Sequence, residues 1–324
     1  MFEELSPETI AEVRETLGDM VLTTPSLAWH GPELAQACPD VAEVYIKLEL
    51  FQRTGTFKAR AAMSNMRQLS AEQLSRGITA VSAGNHAIAA AWAARALGTS
   101  AKIFMPETAK PLRARRARDY GAELIFCATQ SEMFERAALV EETEGRGFIH
   151  PFEGPATVQG TATVGLEIRE QMPALDVMIL PVGGGGLCGG VASFLKQTWP
   201  GISIYGVEPE GANTMALSFA AGEPVRREEV STIADSLAPP RTEPYTFSVC
   251  REFVDELVVV SDSELRSAMR TLFLDLKLAV EPAGAASTAA LLGPLRERCA
   301  ARRVGVIACG ANISPTDFSR LLAD

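Results

Sequence analysis

Ile78-Thr-Ala-Val-Ser-Ala-Gly-Asn-His-Ala-Ile-Ala-Ala-Ala-Trp-Ala-Ala-Arg-Ala-Leu-Gly-Thr-Ser-Ala-Lys-Ile-Phe-Met105 carries one whole strand–turn–helix–strand unit. Ile78 to Val81 is a short apolar run suited to a buried strand. Ser82-Ala-Gly-Asn85 is a turn, and the alanine-rich run from His86 to Leu97 has high helix propensity. Gly98 ends that helix as a C-cap does, and Ala101 to Met105, closed by Pro106, is the next strand. The unit then repeats as helix 109–120, Gly121 and strand Glu123-Leu-Ile-Phe126. Apolar strands alternating with helices predict a parallel sheet with helices on both faces.

The same grammar extends outward. Upstream, Ser6-Pro caps a first helix, Thr23-Thr-Pro25 stops it, and Val44 to Leu48 is a strand. The Thr54-Gly-Thr56 turn follows, and Phe57 to about Leu69 is a helix. Downstream, His150-Pro-Phe-Glu-Gly-Pro155 is a break where the chain passes to another lobe. Helix 160–171 and strand Val177 to Leu180 lead into Gly183-Gly-Gly-Gly186 and a further helix. Ile202–Val207, Leu257–Val260 and Val304–Ala308 are the remaining strands, and Ser261-Asp-Ser-Glu264 is a capping box. The expected fold is α/β in two lobes, each an open, mostly parallel twisted sheet with helices on both faces. Residues 45–149 form the small lobe; 1–44 and 150–324 form the large, ligand-binding one.

The 324 residues are 47% hydrophobic and 22% charged with a net charge of −10, which makes the chain a poor phosphate-backbone binder, so no nucleic-acid partner is expected. The basic run Arg113-Ala-Arg-Arg-Ala-Arg118 reads as a solvated helix face, and Arg241 as a surface arginine, with contact to an acidic substrate the alternative. The apolar stretch from Val177 to Leu195 is broken by glycines, which argues against a membrane span. Met1-Phe-Glu-Glu-Leu5 is acidic with no apolar core, so no signal peptide is expected, and six scattered cysteines without a CxxC pair point to reduced thiols in the cytoplasm. Three histidines are too few for a histidine-rich zinc site.

Four places carry chemistry. Glycines 183–186 between a strand and a helix let successive N–H groups converge on an anion, aided by the helix N-terminus. Neither the dinucleotide fingerprint nor the P-loop Lys-Ser/Thr is present, so a single phosphate group suits them best. The alternative is a turn packed closely on another backbone. Lys58 follows a flexible turn and Phe57; lysine can bind a carbonyl covalently once desolvated, although alone it reads as an exposed helix-start residue. Ser82 to His86 can hold a carboxylate on backbone N–H groups, or be an ordinary capping turn with His86 a satisfied helix residue. Cys309 closes the last strand, where α/β sheets bind ligands.

Together these stretches resemble the pyridoxal-phosphate enzymes of fold type II, the tryptophan synthase β-like fold, and within them the serine/threonine dehydratase and serine racemase family. Thr54-Gly-Thr-Phe-Lys58 is similar to that family's T-G-S-F-K and Ser82-Ala-Gly-Asn-His86 to its S-S/A-G-N-H. His150-Pro-Phe, Gln159-Gly-Thr161, Gly183 to Leu187, Thr232-Ile-Ala-Asp235 and Glu281-Pro282 follow in family order. The resemblance implies pyridoxal 5'-phosphate bound covalently by Lys58, which also serves as base at the substrate Cα. It implies that Phe57 packs on the ring and Asn85 bonds its 3-oxygen. The backbone of Gly183, Gly184, Gly185, Gly186 and Leu187 would hold the phosphate, with Glu281 and Cys309 also at the cofactor. Ser82, Ala83, Gly84, Asn85 and His86 would clamp the substrate carboxylate. Glu208 with the Ala212 carbonyl resembles the family's site for Mg2+ or K+, although Thr214 stands where some relatives carry an acid.

Cysteine at 309, where most members have serine, is similar to the liver-type serine dehydratases. Neither residue is a carboxylate, so the ring nitrogen stays largely unprotonated, which favours β-elimination over long-lived carbanion chemistry. Ala83 stands where serine racemases place a proton-donating serine, and alanine has no proton to give. The resemblance therefore implies a cytoplasmic, homodimeric ammonia-lyase acting on L-threonine or L-serine. With the chain ending at Asp324, no end-product-sensing domain is expected. A racemase, a 3-hydroxyaspartate dehydratase and a non-catalytic phosphate-ligand binding protein are the alternatives; a nicotinamide oxidoreductase is weaker, lacking the ribose-binding acid.

Overall fold

In the computed structural model, which describes residues 2–323, ten strands form two sheets. They are β1 (Ser26–Ala28), β2 (Glu43–Lys47), β3 (Ile78–Val81), β4 (Ala101–Pro106), β5 (Glu123–Cys127) and β6 (Gly147–Phe148). β7 (Val177–Pro181), β8 (Ser203–Pro209), β9 (Glu256–Val260) and β10 (Arg303–Ile307) complete the set. The larger sheet runs β1-β2-β10-β7-β8-β9 and the smaller β5-β4-β3-β6. Every pairing is parallel except β1 with β2. Parallel strands need crossovers, and the helices between them cover both faces.

Side-chain alternation shows the double burial. On β7, Val177 and Ile179 enter one apolar cluster and Met178 and Leu180 the opposite one. On β4, Ile103 and Met105 face one cluster and Phe104 another. A strand buried on both faces reads as a continuous apolar run, which is why β3, β4 and β7 were recognisable by eye.

The expected break at residue 44 falls inside β2. That strand pairs with β10 from Glu43↔Arg303 to Lys47↔Ile307, so residues 45–47 belong to the larger sheet, and the chain leaves it after Lys47. The opening helix, Pro7–Leu17, is capped by Ser6, whose Oγ accepts from the Thr9 N–H at 3.2 Å. It stops at Gly18 instead of running to Thr23. The helix expected at 160–171 starts earlier, at Pro155, because a proline in the first turn needs no N–H bond. The Gln130–Glu144 helix was not anticipated. No helix among the described residues is long and apolar enough to cross a membrane, and all six cysteines are free and buried.

Candidate active site

The chemistry-bearing turns meet at the carboxyl ends of strands from both sheets. Ser82 follows β3, the glycine turn follows β7, Glu208 lies at the end of β8, and Cys309 follows β10. Lys58 is brought there by a backbone zipper. Phe57 N–H donates to Cys309 O at 3.2 Å and Ala311 N–H to Gly55 O at 2.9 Å. The Thr54-Gly-Thr56 turn is thus stitched to the loop after β10, and Gly55 takes the positive φ (+76°) that the turn needs. Lys58 opens the Lys58–Arg67 helix with its Nζ donating to Pro151 O at 2.5 Å and lying 5.0 Å from the Phe57 ring centre. Burial in the cavity wall pushes its pKa down to about 8, against a smaller opposing pull from Cys309.

The glycine turn has its anion-binding character intact. The N–H groups of Gly183, Gly184 and Gly185 donate to no protein acceptor among the described residues. The Gly186–Thr198 helix then begins, adding its positive end. Gly185 sits at φ +92°, a conformation that side chains resist. The alternative reading, close packing, holds as well. A Cβ on Gly184 would fall 2.1 Å from the Phe152 ring, and one on Gly186 2.7 Å from Phe152 O. Thr161 fastens the start of the helix by donating to Gly186 O at 2.6 Å. Free N–H groups, a desolvated amine and the Cys309 thiol line one recess, with Phe57, Asn85 and Glu281, so these residues fit a phosphorylated carbonyl cofactor.

Cys309 is buried and its Sγ donates to Ala283 O at 3.4 Å. Burial, then the neighbouring Glu281 charge, raises its pKa above the ordinary thiol value, so it stays a neutral S–H. Asn85 is held on all sides. Its Nδ2 donates to Glu281 Oε1 at 2.5 Å and Ser236 Oγ at 3.3 Å, and its Oδ1 accepts from Asn312 Nδ2 at 2.7 Å. Bonding a cofactor oxygen would therefore draw on the longer contact to Ser236.

Ser82 to His86 form the turn into the Asn85–Ala96 helix, with Ser82 Oγ accepting from Gly84 N–H at 3.0 Å. The N–H groups of Ala83, Asn85 and His86 donate to no protein acceptor among the described residues, which leaves them for a carboxylate. His86 is structural as well as adjacent: Nε2 lies 2.8 Å from Ile149 O, so it carries the proton, while buried Nδ1 has no partner. Burial, then Lys58, lowers its pKa to about 3. His150, whose Nδ1 accepts from the Phe152 and Glu153 N–H groups, is lowered to about 3 for the same reasons.

Arg113 corrects the reading of the basic run. It is 3% exposed and bonds Asp235 at 3.0 Å, Glu281 at 3.0 Å and the Asn312 carbonyl at 3.3 Å. It shares the inward face of the Pro111–Asp119 helix with Ala114 and Ala117, and those small residues were the signal in the sequence. Arg116 also bonds Asn312, whereas Arg118 lies over Phe126. Arg241, read as a surface residue, lines the cavity with its side chain 46% exposed. Glu208 is fully buried, and its two oxygens accept from Met215 N–H (2.8 Å) and Ala216 N–H (2.7 Å), capping the Thr214–Ala221 helix. Burial outweighs those bonds and pushes its pKa up to about 8. No group of three or more His, Cys, Asp or Glu able to hold a metal occurs among the described residues.

A family model described as pyridoxal-phosphate dependent enzyme matches residues 23–310. A phenylserine dehydratase from Ralstonia pickettii is 49% identical over 313 residues, covering 97% of this chain and 95% of that protein. An L-threonine ammonia-lyase from Thermotoga maritima is 35% identical over 97% of this chain and 77% of its own length. Maize serine racemase has a similar structure, with a TM-score of 0.90 at 33% identity over 98% of both chains. Matched over most of its length and alike in fold, the chain belongs to the pyridoxal-phosphate dependent enzymes, among the amino-acid dehydratases and ammonia-lyases.

Proposed function

We propose that this enzyme deaminates a 3-hydroxy amino acid to a 2-oxo acid and ammonia, by loss of water followed by hydrolysis, and that its substrates are L-threonine, L-serine or a β-aryl serine such as phenylserine. Lys58 carries the reading. Of the displaced titrating groups that line the cavity, it alone is held near neutrality, at about 8, where one group can both take and return a proton. His86 and His150 stay neutral near 3, and Ala83 offers no proton from its methyl.

The bound cofactor supplies electron withdrawal from Cα. The rest falls to the chain. The Ser82–His86 turn holds the carboxylate, and Lys58 Nζ takes the Cα proton and returns it to the β-hydroxyl, which departs as water. The released enamine takes up water and yields the 2-oxo acid and ammonia. A neutral Cys309 thiol, in place of a carboxylate, supports elimination over long-lived carbanion chemistry, and Ala83, with no proton to give, supports it over racemisation.

The cavity has about 250 Å3 of free volume, more than a methyl group needs. Its arginines are already paired: Arg113 with Asp235 and Glu281, Arg241 with Glu243 at 2.6 Å. A second substrate carboxylate, as in 3-hydroxyaspartate, would find no free partner among them. The test is a panel of L-threonine, L-serine, threo-3-phenylserine and threo-3-hydroxyaspartate, following 2-oxo acid and ammonia. D-amino acid forming faster than 2-oxo acid, or no ammonia from any member, sinks the proposal. A cation on Glu208 and the Ala212 carbonyl belongs to the same reading, and so does a cytoplasmic homodimer. The Met215 and Ala216 N–H groups would compete for that carboxylate, and K+ or Mg2+ should raise thermal stability in the wild type but not in Glu208→Gln.

A further inference from the structure

The cavity is lined by Lys58 and Gly184, by the Ser82–His86 turn, and by Met133 and Phe134 of the Gln130–Glu144 helix, which packs on the smaller sheet. Facing them are Pro239, Pro240 and Arg241, from the segment before the Pro244–Phe253 helix. Gln130, Phe134, Pro240 and Arg241 also line a neighbouring depression with Ser131 and Arg226, so they stand between the two.

The chemistry of that partition is specific. The Arg241 guanidinium lies 5.3 Å from the Phe134 ring centre, and Glu243 neutralises it. A guanidinium over a ring is attracted to its face, so each group fixes the other. Met133 is 6% exposed and adds a polarizable thioether that adapts to an aromatic edge. The two prolines add flat, rigid surface. With Lys58 assigned to the cofactor and the Ser82–His86 turn to the carboxylate, Met133, Phe134, Pro239 and Pro240 supply apolar surface for the substituent on the substrate Cβ, beside Phe152 and Ala238.

We infer that Met133 and Phe134, facing Pro239, Pro240 and Arg241, form the receptor for the substrate's β-substituent, and that it is built for an aryl group. This rests on the dehydratase reading, and its test separates the two. L-Phenylalanine and L-2-aminobutyrate lack the leaving hydroxyl, so their affinities for the holoenzyme, measured by calorimetry, report the receptor without turnover. Wild type should prefer L-phenylalanine. Phe134→Ala should cut that preference about tenfold, and Phe134→Leu, which keeps an apolar surface, by less. The kcat/KM ratio of threo-3-phenylserine to L-threonine should fall in the same order. A preference unchanged in both variants, or equal loss of both ligands, overturns the receptor. Failure of the wild type to eliminate water from any hydroxy amino acid overturns the reaction, while the binding preference still decides the receptor. Phe134→Leu keeps the test open should Phe134→Ala not fold.

Discussion

At the scale of single residues, Lys58 sets the pH at which the enzyme can be assembled. Burial favours its neutral amine, and only the neutral amine attacks a carbonyl. The rate at which cofactor-free protein takes up pyridoxal phosphate should rise with pH and level off above about 8. An exposed lysine would keep rising toward about 10.4. A profile without that plateau would show an ordinary amine, and Lys58→Ala should lose both the visible absorbance of bound cofactor and the lyase activity. The stability sign runs the same way. The folded pKa lies below the unfolded one, so the charged lysine is a cost below about 8 that is relieved as pH climbs toward the unfolded value. Lys58, the glycine turn and Cys309 were legible because each stands beside a local signature, a turn or a strand end. Arg113 and Asn312 were not. Arg113 meets Glu281 across 168 positions and Asn312 meets Asn85 across 227, and no local pattern encodes such partners.

At the scale of elements, the Lys58–Arg67 helix is seated against the Pro155–Gln171 helix with almost no gap. A Cβ on Gly160 would lie 2.7 Å from Ser64 Cβ, 2.8 Å from Arg60 O and 3.0 Å from Ala61 Cα. Beside that contact, Arg60 is fully buried and bonds Glu49 at 2.8 and 2.9 Å and Glu167 at 2.7 and 2.8 Å. The helix that carries Lys58 is thus pinned from below by paired charges and from the side by a missing side chain. Gly160→Ala should cost about 1–3 kcal/mol in denaturant unfolding, since overpacking must shift a backbone. It should also weaken cofactor retention by moving Lys58, and normal stability with normal retention would show that the contact can relax. The glycine of Gln159-Gly-Thr161 was visible in the sequence only as part of a resemblance; its cause is this helix contact. The missed Gln130–Glu144 helix had a signal too. Thr129 Oγ1 accepts from Glu132 N–H at 3.2 Å, and Ala128 N–H donates to Glu132 Oε2 at 2.9 Å. Thr-x-x-Glu is the pattern that marks Ser261 to Glu264, but here no strong apolar stripe follows it to identify a helix.

At the scale of the whole molecule, acid should loosen the fold through groups far apart in sequence. His86 and His150 are held near 3 in the folded chain and return to about 6.5 when it unfolds. Their contribution is complete above 6.5 and drains away as pH falls, because the unfolded chain then binds more protons. Glu208 works the other way. It is held near 8 and returns to about 4.5, so between those values the folded chain keeps a proton that the unfolded chain gives up. Its contribution grows as pH falls through the same window. Two histidines against one carboxyl leave a net loss between pH 6.5 and 5. Each group is worth about 1.4 kcal/mol per pH unit where it acts fully. Carboxylates whose pKa is lowered by pairing, such as Glu167 and Asp235, remain ionised in this range and do not mask the effect. Denaturant unfolding at pH 6.5, 6.0, 5.5 and 5.0, compared between variants, reads each term separately. His86→Gln should flatten the wild-type slope by roughly one proton's worth, and Glu208→Gln should steepen it by the same amount. Identical slopes in wild type and His86→Gln would mean that the buried ring carries its proton in the folded state, and the orphaned Nδ1 would then have to be a donor.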